Sequence, residues 1–356
     1  MKDYLALCNC GTQIIARVND ECTSLEIFCN RCNLKILSNT NNNANTGKKE
    51  KTLSIENHSS FMKANKPIQK IGDYNIIELL GKGGMGSVYL GVHETTQEKV
   101  AVKLLNLDPN DPSLVNYFLR EISLLTQLNH KNIVKFKDKG TYEDTLYLVM
   151  EYIEGRSLDS FIQKTPLQAR HALQIAYYVL EALEYAQKYS FVHRDIKPEN
   201  ILIETLTKVI KVVDLGIGKI LGDSNALSKT GFVIGTPFYM APEQIADSKH
   251  VDPRADLYSV GATLYHMLAG TPPYSELDIN LVAILYGKLN HEPVPLIQKS
   301  PDLSPEIIQI TEKAMARDIN KRYQSATEMK TDILHFCTRC NIKLRVSNQN
   351  NENELC

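Results

Sequence analysis

The chain has 356 residues, 43% of them hydrophobic, with 40 basic against 41 acidic side chains and a formal net charge of −1. That is enough apolar material for a two-lobed domain plus small appendages, and the balanced charge excludes a strong pull toward nucleic acid or an anionic membrane. No apolar run reaches the ~18 residues of a membrane span, so the expectation is a soluble, cytoplasmic protein with neither membrane nor nucleic-acid partners.

At the N-terminus, Cys8-Asn9-Cys10-Gly11 and Cys29-Asn30-Arg31-Cys32 form two knuckle-like pairs with eighteen residues between them. Four thiolates at Cys8, Cys10, Cys29 and Cys32 suit Zn2+ on a short β-rich ribbon over residues 1–37, since metal binding can fold a segment too short to bury a core. Disulfides are the alternative, and Cys22 is a substitute ligand or a buried thiol. The balanced charge of this segment points to a protein partner or a sensing role rather than to nucleic acid. Residues 38–72, rich in Asn, Lys, Ser and Thr, read as a flexible linker.

From residue 73 the patterning changes. An apolar-rich run, Tyr74 to Leu80, leads into Gly81-Lys82-Gly83-Gly84-Met85-Gly86-Ser87-Val88 and then Tyr89 to Val92, a strand-turn-strand pattern. Glycines lack a Cβ, so backbone N–H groups there can approach a triphosphate. A Rossmann turn uses similar glycines but opens a helix. In Val100-Ala101-Val102-Lys103 a lysine sits inside a strand, where its charge is costly unless paired. Its expected partner is Glu121, in a stretch whose apolar residues Leu114, Phe118, Ile122, Leu125 and Leu128 recur at three- or four-residue steps. Taken singly, Lys103 also reads as an edge-strand lysine and Glu121 as a solvated helix position.

The segment Val192-His193-Arg194-Asp195-Ile196-Lys197-Pro198-Glu199-Asn200 is followed, fourteen residues after Asn200, by Asp214-Leu215-Gly216. This spacing supplies a base, Asp195, a phosphate-neutralising Lys197, and two oxygen ligands for Mg2+ or Mn2+, Asn200 and Asp214. Further on, Asp252 to Tyr274 is apolar enough to be a helix buried all round. Phe336-Cys337-Thr338-Arg339-Cys340-Asn341-Ile342-Lys343-Leu344 then echoes Phe28 to Ile36. Residues 336–356 therefore read as a Cys-containing tail, a partial repeat of 28–45, either disordered or holding zinc.

Taken in this order, the motifs over 73–335 resemble those of the eukaryotic-like serine/threonine protein kinases. Gly83-Gly84-Met85-Gly86 and Val233-Ile234-Gly235-Thr236 are most similar to the bacterial branch. The resemblance implies an α+β, bilobal protein-kinase fold, with a small β-rich N-lobe (73–150) and a larger helical C-lobe (154–335). It implies ATP beneath Gly81, Gly83, Gly84 and Gly86, in a slot of Leu80, Val88, Ala101, Met150 and Leu202. The hinge backbone near Glu151 and Ile153 would meet the adenine, and Lys103, held by Glu121, its phosphates. Lys197 and Thr236 imply transfer to Ser or Thr of proteins, including the chain itself, rather than to Tyr.

By the same resemblance, Asp256 pins the catalytic loop from beneath, and Glu243, in Ala241-Pro242-Glu243, is held by Arg322. Arg194 docks a phosphorylated residue of the loop Ile217 to Val233, Thr230 first and Ser228 second. Leu215 stands where most members have phenylalanine, in a stacked internal column with Phe136, Leu125 and His193. Two rival readings remain: a nucleotide-binding or scaffolding pseudokinase, and a kinase governed by a metal- or redox-sensing ribbon.

Overall fold

The computed structural model describes residues 68–83, 86–105, 122–143, 145–163, 165–214, 237–246, 251–277 and 281–344, together with four strands before residue 40. The chain divides into two units, Met1–Ile68 and Gln69–Cys356.

In the first unit β1 (Lys2–Leu7) pairs antiparallel with β2 (Gln13–Val18), and β3 (Ser24–Phe28) with β4 (Lys35–Asn39). The pairs close at Leu7↔Gln13 and Phe28↔Lys35. Cys8, Cys10, Cys29 and Cys32 fall between the paired strands in sequence and lie outside the described residues.

In the second unit an antiparallel sheet is built from β5 (Lys70–Ile71), β6 (Tyr74–Gly83), β7 (Gly86–His93), β8 (Lys99–Leu105), β9 (Phe136–Tyr142) and β10 (Thr145–Glu151), in the order β5-β6-β7-β8-β10-β9. Along β8, Val100 and Val102 are buried on one face, which leaves Ala101 and Lys103 on the other. Ile71 is completely buried, so the sheet begins inside the stretch that composition alone gives to the linker. Residues 122–125 are helical and bury Ile122 and Leu125 as the apolar spacing predicts; Glu121 lies outside the described residues.

The remainder is mainly helical. A small sheet, β11 (Gly155–Ser157), β12 (Ile201–Glu204) and β13 (Ile210–Val212), accompanies α1 (Asp159–Ile162), α2 (Ala169–Gln187), α3 (Pro242–Ala246) and α4 (Arg254–Ala269). The chain then runs through α5 (Leu281–Asn290), α6 (Leu296–Lys299), α7 (Pro305–Ala314) and α8 (Ala326–Arg339). Every residue of α4 from Ala255 to Leu268 is buried. Gly261 is what lets α7 come so close, because a Cβ there would sit 2.7 Å from the Cβ of Ala314. The helix is shorter than the apolar run Asp252 to Tyr274: Gly270, at φ +74°, caps it, and Pro272 and Pro273 cannot continue it.

A boundary at 335 cuts through α8, so the first residues of the expected tail are helix rather than tail. Phe336 and Cys337 are buried in the core. Asn341 takes φ +54°, the Ile342 N–H bonds Cys337 O, and the Asn341 N–H bonds Thr338 O, which together make a Schellman cap. The C-terminal copy of the repeat is thus a helix end, whereas Phe28 in the N-terminal copy ends a strand.

Candidate active site

Asp256 lies in the first turn of α4, and its carboxylate accepts the backbone N–H groups of His193 and Arg194, both at 2.7 Å. Complete burial pushes this carboxyl above its usual range, against the pull of the two backbone N–H donors. Those donors offset the cost of burying it and hold Arg194 at φ +64°, a conformation unfavourable for a residue with a long side chain. Burial lowers the pKa of His193, so the imidazole is neutral. Its Nδ1 accepts the Asp195 N–H at 3.2 Å, and Nε2 faces Val213 O at the same distance.

The loop so fixed presents Asp195, 5% exposed. Its carboxylate accepts from Asn200 Nδ2 at 2.9 Å and from Lys197 Nζ at 3.0 Å. Asn200 Nδ2 also donates to Asp195 O at 2.8 Å, which commits the amide nitrogen and orients the amide oxygen for another ligand. Burial opposes the charge of Lys197, but the Asp195 carboxylate outweighs it and raises the lysine above its ordinary value. Asp214 follows directly on Val213, whose N–H bonds Asn200 O at 2.9 Å.

Across the cleft, Lys103 is 7% exposed and makes an ion pair with Asp214. That pairing satisfies the buried charge; Glu121, the partner expected from the sequence, lies outside the described residues. Strand register sets Val88 and Leu148 opposite Lys103, and Leu90 and Met150 opposite Ala101, all on one face of the sheet. Lys103, Asp214, Met150, Leu125 and Phe136 are among the residues lining a cavity of about 20 Å³. At the hinge the Glu151 carboxylate accepts the Lys135 N–H at 2.8 Å and Lys211 Nζ at 2.6 Å, and Ile153 is buried. Leu202 is half-buried on β12, while Leu80 is exposed at the end of the glycine-rich hairpin.

The glycines differ in what demands them. A Cβ at Gly81 or Gly83 would meet nothing within 4 Å, so these positions are open to a ligand. At Gly86, with φ +143°, a Cβ would lie 1.8 Å from Leu104 O, which no side chain can tolerate. Arg322, 1% exposed, grips Glu243 with bonds of 2.7 and 3.1 Å. Gly84, Glu121, Leu215, Ser228, Thr230 and Thr236 lie outside the described residues.

Among the described residues no three His, Cys, Asp or Glu side chains gather as a metal-holding group. Mg2+ is usually held by one or two protein oxygens plus substrate phosphates, and the oxygens of Asn200 and Asp214 fit that manner of binding. Sequence reasoning did not single out Gln244, Lys211 or His266, all of which bond to site segments. Only Lys211 left a trace, as a charge between Ile210 and Val212 in a short strand.

Residues 74–334 match the protein kinase domain model, and the chain belongs to that family. The serine/threonine-protein kinase PknB of Mycolicibacterium smegmatis is 37% identical over 268 residues, covering 73% of this chain and 42% of the relative. A probable serine/threonine-protein kinase of Streptomyces coelicolor is 39% identical over 269 residues, covering 74% of this chain and 39% of that protein. The chain therefore spans about two fifths of the length of the curated relatives it matches. Among the described residues no helix is long and apolar enough to cross a membrane.

Proposed function

We propose that the protein is an ATP-dependent serine/threonine protein kinase, which transfers the γ-phosphoryl of Mg-ATP to Ser or Thr hydroxyls of proteins, its own Thr230 and Ser228 included. The observation that carries this reading is the joining of Asp195, Lys197 and Asn200 in one hydrogen-bonded cluster, tied through Val213 to the Asp214–Lys103 pair.

Asp195 orients the substrate hydroxyl and takes its proton as the new O–P bond forms and the bond to the departing diphosphate breaks. Lys197, kept cationic beside Asp195, offsets charge on the transferring group. Lys103, held by Glu121, reaches the α and β phosphates, and Gly81, Gly83, Gly84 and Gly86 cover them as a glycine-rich lid. Asn200 and Asp214 would hold Mg2+ or Mn2+, which would supply positive charge to the phosphates. Aliphatic Val88, Ala101, Met150 and Leu202 enclose the base, which meets the backbone near Glu151 and Ile153. Positioning and electrostatics carry the reaction, at a turnover of about 1–100 per second.

Labelled ATP, Mg2+ and a generic protein substrate test the substrate class. After acid hydrolysis of the product, label is expected on phosphoserine and phosphothreonine. Label on phosphotyrosine alone, or nucleotide bound without transfer, contradicts the reading.

A second reading concerns the first unit, set in a reducing, cytoplasmic environment. The hairpin closures at Leu7↔Gln13 and Phe28↔Lys35 support a zinc ribbon with a protein partner, since knuckles sit where paired strands turn. Metal analysis is expected to find a single zinc per chain, lost when Cys29→Ser and Cys32→Ser are combined. Zinc retained in that variant contradicts it.

A further inference from the structure

Gln244, in α3, is 9% exposed, and its side-chain amide is engaged at both ends. Oε1 accepts the Ala241 N–H at 2.9 Å, and Nε2 donates to the Arg194 carbonyl at 3.0 Å. One buried amide therefore joins the segment beginning at Pro237 to the loop that carries Asp195. The Arg194 carbonyl belongs to the peptide whose nitrogen is Asp195's, so its direction sets the angle at which Asp195 leaves the loop. Arg194 is held at φ +64°. Such backbone persists only where its surroundings over-determine it. Asp256 holds the N–H side of Arg194 at 2.7 Å, and Gln244 holds the carbonyl side.

We infer that Gln244 is a positioning residue: through Arg194 it aims the Asp195 carboxylate, and through Ala241 it makes that aim depend on the seating of residues 237–246. This rests on the reading of Asp195 as the base. A buried amide that merely satisfies its own polar atoms would support stability alike in every state. The bridge described here acts on the chemical step and leaves the nucleotide site alone.

Two variants of the full chain separate these roles. In Gln244→Glu, one oxygen still accepts from Ala241, but an ionised carboxylate opposes the Arg194 carbonyl. Protonated, the same group donates to that carbonyl and remakes the bridge. Gln244→Met has no donor at any pH. At about pH 8, kcat of Gln244→Glu is expected to fall about 10- to 100-fold, with the KM for ATP within about twofold of the parent.

The ratio of its kcat to that of the parent then climbs as pH is lowered toward about 5.5, because burial raises the introduced carboxyl above its ordinary value. Arg194, Asp195, His193 and Asp256 surround the site in both proteins, and the Gln244→Met ratio shows whatever pH dependence does not come from the introduced carboxyl. For Gln244→Met the ratio stays low and flat. A flat ratio for Gln244→Glu, unchanged kcat in both variants, or a ratio that only mirrors thermal unfolding followed over the same pH range overturns the inference. Absence of transfer by the parent overturns instead the assignment of Asp195.

Discussion

The Tyr239 hydroxyl and His266 Nδ1 share a hydrogen bond of 2.7 Å, with both side chains buried and the rings stacked at 6.1 Å. Burial lowers His266 to about 4, so its imidazole is neutral. An unfolded histidine titrates near 6.5. Between those values the unfolded chain binds a proton that the folded chain does not. Stability from this site is therefore complete above about pH 6.5 and lost as pH falls toward 4, by about 3 kcal/mol. Denaturant unfolding of the parent and of His266→Gln from pH 7 to pH 4 should show a steeper loss in the parent. Parallel slopes contradict this.

The residues of the candidate site were legible because phosphoryl transfer would demand them at short range. Asp195, Lys197 and Asn200 share one loop, and their spacing can be read directly. Their supports come from far away: Gln244 reaches Arg194 across fifty residues, and Lys211 reaches Glu151 across sixty. No local spacing encodes such a bond.

At the scale of elements, the β6–β7 hairpin was legible because glycines between apolar runs permit little else. Gly86 is the position most intolerant of change, since a Cβ there would strike Leu104 O on the neighbouring strand. Gly86→Ala is expected to part β7 from β8, lowering stability by about 1–3 kcal/mol and raising the KM for ATP. An unchanged melting temperature and KM would contradict this. The extent of α4 was less legible, because composition shows an apolar run but not where Gly270 turns left-handed. The end of α8 misled for a related reason. Its Cys-x-x-Cys letters copy the N-terminal knuckle, but burial of Phe336 and Cys337 beside Ile333 makes them helix and core. Tertiary context decides between such readings.

Over the whole molecule the two-lobed unit was legible as an ordered series of motifs. Its start was not, because Ile71 lies in a stretch without apolar periodicity and only its place in the sheet explains its burial. The proposed chemistry turns on whether Asp195 serves as the proton acceptor in phosphoryl transfer. The most direct measurement compares the rate of labelled phosphoryl transfer by the parent and by Asp195→Asn, at saturating Mg-ATP and with both proteins shown to be folded. A fall of about 10²–10⁴-fold with nucleotide binding preserved is the predicted result. Equal rates in the two proteins would contradict it.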